Sequence, residues 1–162
     1  METMEYVRKL LQETDYLLQM KKLEQLEAER LFCRHGLSHV LDVARIAWIM
    51  VLEKQMQVEK EVVYLTALLH DMGRLREYQE KVPHHEAGAA MALDYLEQIG
   101  YPEEKLDMVL TAIGEHRNKD REEESFIKVI QRADNQSRNC FFCEAAGACK
   151  WSEERKNTSI DY

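Results

Sequence analysis

Proline and glycine are scarce in this chain, with 2 and 6 residues among 162. That scarcity argues against a turn-rich β architecture and favours long helices. Cationic residues are outnumbered as well: Lys+Arg 22 against Asp+Glu 30 leaves a formal charge of −8. A surface of that sign lacks what general nucleic-acid binding needs, although a local basic patch in a cleft can still hold phosphate. Long apolar runs are missing. Residues 40–52 and 62–69 are short and mixed with polar groups, so no membrane helix is expected. The first five residues are acidic and carry no signal-peptide pattern, which makes the cytoplasm the expected compartment. There, the four cysteines are thiols or metal ligands rather than disulfides. No repeat, strand-like alternation or Gly/Ser/Pro linker divides the chain. What remains is a folded chain, 45% hydrophobic and 32% charged, read as one all-α domain over residues 1–162.

The apolar periodicity predicts about six helices. The first covers residues 4–30, with Val7, Leu10, Leu11, Tyr16, Leu17, Leu18, Leu23 and Leu26 inward and the charged run 21–30 as a solvated face. The second starts near Ser38, a potential cap, and runs to Gln55 with Val40, Val43, Ala44, Ala47 and Val51 buried. The third covers residues 59–72, with Gly73 as its left-handed exit. Residues 75–83 read as a polar connector. Helices follow at 85–99, 103–116 and 125–138, with a charged loop at 118–124. The tail, 139–162, holds three of the cysteines.

Polar residues interrupt the apolar stripes in an ordered way. His39 opens the second helix, His70 and Asp71 end the third, His84 and His85 open the fourth, His116 ends the fifth, and Asp134 lies in the sixth. Imidazoles and carboxylates on apolar faces need a common partner, because unpaired burial is costly. A metal is the simplest one. Successive helical residues point about 100° apart, so His70 and Asp71 can both reach an ion between them. Four histidines and two aspartates exceed one tetrahedral site and suit two adjacent ions with open positions. Imidazole plus carboxylate fits Fe, Mn, Zn or Co better than Mg or Ca.

These segments resemble the HD-domain superfamily of metal-dependent phosphohydrolases. The matching pieces are His39-Val-Leu-Asp-Val-Ala, Leu68-Leu-His70-Asp71-Met-Gly-Arg, His84-His-Glu-Ala-Gly88-Ala, Ile113-Gly-Glu-His116 and Arg132-Ala-Asp134. The order H…HD…H…H…D is similar to the dinuclear branch, which includes bacterial diadenosine tetraphosphate hydrolases and HD-GYP phosphodiesterases. Gly100-Tyr-Pro102 matches the latter's signature only in spelling, since it falls in a turn after the fourth helix. The resemblance implies His39, His70, Asp71, His84, His116 and Asp134 as metal ligands, with His85 the alternative to His84. It implies a helical bundle and hydrolysis of a nucleotide or other phosphorylated small molecule by a metal-activated water, with Asp71 bridging two ions. Inositol and phosphonate oxygenases share the ligand order, so a di-iron oxygenase is one alternative. A non-catalytic metal-binding sensor or adaptor is the other.

Cations beside the constellation are candidates for phosphate. Arg74 lies one turn after His70, Arg117 follows His116, and Arg138 lies four residues after Asp134; Arg suits bidentate phosphate recognition. His35, one turn before His39, can protonate a leaving group or bond a phosphate. Cys140, Cys143 and Cys149 form a compact C-x2-C-x5-C cluster. If His39 and Asp134 meet, Cys33 is drawn towards them and completes a four-thiolate site for structural zinc or an iron–sulfur cluster. The alternative is a set of loose thiols in a mobile tail. The stretch from Asp134 to Trp151 is also similar to a subgroup of small bacterial HD-domain proteins.

Overall fold

A computed structural model describes residues 3–118 and 125–162. Its helices in chain order are α1 (Glu5–Glu13), α2 (Tyr16–Leu26), α3 (Leu37–Glu53), α4 (Lys60–Leu69), α5 (Gly73–Glu80), α6 (His84–Gln98), α7 (Glu103–Glu115) and α8 (Phe126–Gln136), with a 3-10 turn at Cys140–Phe142. No strand occurs among the described residues. The all-α class agrees with the sequence reading, but eight α-helices stand where about six were expected. The expected charged loop falls, from residue 119 to 124, outside the described residues.

Both additional helices arise where one helical or polar stretch was expected. Thr14 ends α1: its hydroxyl donates to the Leu10 carbonyl at 2.6 Å and accepts from the Tyr16 N–H at 3.1 Å. That local bonding competes with helix continuation, so the expected helix over 4–30 is two helices. The break re-aims the second apolar face. Val7, Leu10, Tyr16, Met20 and Leu23 are buried, whereas Leu17, Leu18 and Leu26 are exposed. The second difference is at Gly73. It does not supply a left-handed exit, because Gly100 is the glycine with positive φ. Gly73 instead opens α5, and the expected polar connector is that helix, which Lys81 closes in the left-handed region at φ 59°. Similarly, Ser38 is not the cap of α3; Gly36 holds that position.

The core has two parts that share α3 and α4. One gathers side chains from α1 to α7 around Leu10, Tyr16, Leu68 and Ile113. The other packs α3 and α4 against Val129, Ile130 and Ala133 of α8. Polar groups tie the N-terminal helices to α4. The Glu61 carboxylate accepts from the Tyr6 and Val7 N–H groups at 2.6 and 3.1 Å. These are donors of the first turn of α1 that have no partner within their own helix. The buried Tyr16 hydroxyl donates to the Leu68 carbonyl at 2.6 Å, satisfying an acceptor where α4 gives way to His70 and Asp71.

A close backbone approach lies beside those residues. A Cβ on Gly73 would stand 1.8 Å from the His84 carbonyl oxygen and 2.6 Å from the Gly88 nitrogen. Only glycine lets the start of α5 sit on the start of α6. A Cβ on Gly88 would meet nothing nearer than Ile113 Cγ2 at 3.5 Å. We therefore expect Gly73→Ala to cost about 3 kcal/mol by forcing the backbones apart, against less than about 1 kcal/mol for Gly88→Ala. Denaturant unfolding of both variants checks this; equal stabilities would show that the close approach is not what positions α5.

Candidate metal centre

Helix ends bring the polar residues together. His39 comes from the first turn of α3 and Asp134 from α8. His70 and Asp71 occupy the turn between α4 and α5, His84 opens α6, and His116 follows α7. One ligand atom from each of His39, His70, Asp71 and Asp134 lies within 4.8 Å of the others, and the same holds for Asp71, His84 and His116. Asp71 belongs to both sets. His39, His70, Asp71, His84 and His116 are buried, while the Asp134 side chain is 36% exposed. His85 stays outside, its side chain 44% exposed and 4.0 Å from Glu86.

The orientation of the imidazoles is set from behind. His70 and His116 place Nδ1 against the carbonyls of Ala67 and Ile113 at 2.6 and 2.5 Å. A carbonyl only accepts, so Nδ1 carries a proton and Nε2 is the ring nitrogen turned towards the centre. His84 sets Nδ1 2.6 Å from Glu77 Oε2. Ser137 Oγ donates to the Asp134 carbonyl at 2.7 Å and thus faces His39 Nδ1, at 3.1 Å, as an acceptor. Holding the far nitrogen in this way is what fixes a metal-binding imidazole.

The inward atoms lack partners. Nε2 of His39, His70 and His84 and Oδ2 of Asp71 are buried with no hydrogen bond. They nevertheless face one another: Asp71 Oδ2 is 3.0 Å from His70 Nε2 and 3.4 Å from His39 Nε2, and Asp134 Oδ1 is 3.1 Å from His39 Nε2. Close, buried and misaligned for hydrogen bonding, these donors fit one or more divalent cations. The electrostatics have the same sign. Burial disfavours charge on His70, yet Asp71 and Asp134 outweigh it and raise the pKa to about 10, so the carboxylates hold a proton on His70 in the place a bound cation would take. Burial likewise opposes ionisation of Asp71 and Asp134, but the neighbouring histidines hold both carboxyls well below the usual range. Burial pushes His84 down to about 4, helped by Arg74 and Arg117. The same desolvation, with repulsion from His70, lowers His116.

A cleft of about 830 Å³ opens over this centre, with His35, His116 and Asp134 among its lining. Its walls carry Arg30, Arg74, Arg117, Arg138, Lys150 and Arg155. Arg74 is anchored by donating from Nε to Asp71 Oδ1 at 3.3 Å. Arg138 lies beyond the end of α8 and donates to the Arg34 carbonyl. The four expected cysteines line a separate small pocket beside the cleft.

Sequence reasoning missed the groups behind His35. Glu27 is fully buried, although it lies in the stretch expected as a solvated face. It accepts from the His35 backbone at 2.7 Å, pairs with His35 Nδ1 at 2.6 Å, and accepts from the Tyr78 hydroxyl at 2.6 Å. Glu77 and Ser137 were missed in the same way. No periodic signal marks these residues, since each partner is brought near by folding.

The helical bundle with a His–Asp centre at converging helix ends defines the class, and the comparisons agree. Residues 36–139 match the HD domain family, and the chain belongs to it. A protein of Clostridium beijerinckii, described as uncharacterized, is 37% identical over 153 residues, covering 94% of this chain and 96% of its own length. A predicted HD superfamily hydrolase from an uncultured Thermotogales bacterium has a similar crystal structure, with a TM-score of 0.64 and 22% identity. That match covers 88% of this chain and 79% of the other.

Two expectations follow from the geometry. His84→Ala should weaken divalent-metal binding by more than about 10-fold, whereas His85→Ala leaves it unchanged; metal analysis after dialysis against a chelator series checks this, and the reverse order would move the inward position to His85. The second concerns acid. Burial raises Glu27, but hydrogen bonds from His35 and Tyr78 outweigh it and lower its pKa from 4.5 to about 2. A depressed carboxylate stabilises the fold fully above its unfolded pKa, and the benefit fades as pH falls through the folded one. Between pH 5 and 2 (roughly), Glu27→Gln should therefore lose stability with a shallower pH slope than wild type, the difference totalling on the order of 3 kcal/mol. Parallel slopes in denaturant titrations would contradict it.

Proposed function

We propose that this protein is a metal-dependent phosphohydrolase acting on a nucleotide or another phosphorylated small molecule. One observation carries the reading: the cleft reaches the His–Asp centre through His116 and Asp134, and its walls bear six cationic side chains, in a chain of net charge −8. Concentrating that many cations over an anionic floor suits a ligand that brings its own negative charge, as phosphate does.

His39, His70, Asp71, His84, His116 and Asp134 would hold the metal, with Asp71 shared between two ions of Fe, Mn, Zn or Co. When bound, such ions supply Lewis acidity and acidify a water. Arg74 and Arg138 bind and orient phosphoryl oxygens and neutralise the charge that builds on them. Arg74 does so from a fixed position, because its bond to Asp71 holds the guanidinium over the floor. Arg117, Lys150 and Arg155 contact more distal anionic groups of the substrate. His35, with Nδ1 held by Glu27, presents Nε2 to the leaving oxygen and would pass it a proton from the charged form of the ring. Burial lowers the His35 pKa although Glu27 opposes it. We read the chain as one domain, since the cleft draws its walls from Arg30 through Arg155.

A phosphate-release screen over nucleotides and phosphomonoesters, with each candidate metal loaded, tests the proposal. Turnover abolished in Asp71→Ala, with kcat/KM reduced about 10-fold or more in Arg138→Ala, is the expected result. Metal-loaded protein that releases no phosphate from any ester or anhydride would defeat it. Oxygen consumption coupled to substrate loss would instead establish a di-iron oxygenase.

A further inference from the structure

The His–Asp chemistry leaves the cysteines unused. All four are free thiols, and all four line one small pocket whose exposed wall is apolar, closed by Phe32, Ala146, Trp151 and Lys156. Cys33 arrives from the approach to α3, and the others from the tail. Successive turns, from Cys143 N to Cys140 O, Ala146 N to Cys143 O and Cys149 N to Ala146 O, wind the tail so that its three cysteines meet Cys33.

Apolar burial does not hold this tail. Beyond Ala133, Ala145 is the one buried hydrophobic residue among those described, while Phe142 is 87% and Ile160 70% exposed. Neither core cluster includes a tail residue. Asn157 fastens the far end by donating to the carbonyls of Asn135 and Arg138 at 2.7 and 2.8 Å. The cysteine segment needs another source of ordering free energy, which coupled binding of an inorganic group provides.

Sulfur spacing selects the group. A tetrahedral zinc with Zn–S bonds of about 2.3 Å sets sulfurs about 3.8 Å apart. Among the described residues, no three of these sulfurs lie within 4.8 Å of one another, although the His–Asp atoms meet that limit. A cubane cluster holds its thiolates farther apart, because an iron–sulfide core rather than a single ion lies between them. The surroundings suit negative charge on sulfur. The Trp151 N–H donates to Cys149 Sγ at 3.5 Å, Arg138 faces Cys33, and Lys156 faces Cys140 and Cys149.

The geometry points to a [4Fe–4S] cluster held by the thiolates of Cys33, Cys140, Cys143 and Cys149, which pins the tail as one wall of the cationic cleft. Phe32, Cys33, Cys149 and Trp151 line both the pocket and the cleft. Arg155 stacks on Trp151 with its guanidinium carbon 4.0 Å from the ring centroid. Loading the pocket therefore orders Lys150 and Arg155 over the metal centre. The inference is independent of the hydrolase reading, since it concerns different ligands and a different readout.

The test uses the full chain, kept from oxygen because Cys143 is exposed, and reconstituted with equal amounts of ferric and ferrous iron and with sulfide, which together supply the two ferric and two ferrous ions of the oxidised core. Acid-labile sulfide, iron content and visible charge-transfer absorption are measured. Four sulfides per chain are expected, with an absorption band that bleaches on reduction, and with sulfide lost in Cys143→Ser. Asp71→Ala separates the two centres: it should keep the full sulfide content while losing iron bound elsewhere. Trypsin cleavage in the tail should slow at least several-fold on reconstitution. Stoichiometric zinc without sulfide, or four freely titrating thiols in the reconstituted wild type, would overturn the cluster. An unchanged cleavage rate would overturn its role in pinning the tail.

Discussion

A single buried carboxylate organises this protein. Asp71 is almost fully enclosed, and an uncompensated charge there would cost several kcal/mol. Compensation comes from every side. His70 and His39 approach one oxygen, Arg74 donates to the other, and His84 and His116 complete the surround. Each of those side chains sits on a different helix end, so the packing of the bundle and the charge balance of Asp71 are one constraint. The glycine at position 73 is part of it, since any Cβ there would push α5 off α6 and carry Asp71 away from His84.

A second layer turns that cluster into a directed one. Backbone carbonyls, Glu77 and Ser137 occupy Nδ1 of four histidines, so the Nε2 atoms converge. Imidazoles left free to choose tautomers could donate hydrogen bonds to the carboxylates and close the site. Held from behind, they leave the central atoms unsatisfied, which is costly for the empty protein and favourable for cation binding. The cost is borne by two apolar clusters whose largest members are fully buried.

The segments flanking the HD domain supply what lies above the centre. Glu27, at the end of α2, takes hold of His35 and Tyr78. The tail adds Lys150, Trp151 and Arg155 to the wall of the cleft. The residues matched to the family, 36–139, carry the floor, whereas Arg30, His35, Lys150 and Arg155 lie outside them. The cationic wall of the cleft is therefore built by the segments outside the family core as much as by the core itself.

The all-α class, the order of the His and Asp positions and the buried stripes of α3 and α4 are legible in the amino-acid order alone. Each is a local pattern, legible because helical periodicity is written in nearest neighbours three and four residues apart. The rest depends on how the helices pack. Glu27 looks like any solvated glutamate until His35 and Tyr78 arrive from 8 and 51 residues away. The choice of His84 over His85 turns on which imidazole α6 presents inward when it packs on Gly73. The helix break at Thr14 depends on a side chain bonding its own backbone, a competition that apolar periodicity does not register. Partners distant in sequence leave no periodic trace, because the free energy that joins them is gained only when the chain is already folded.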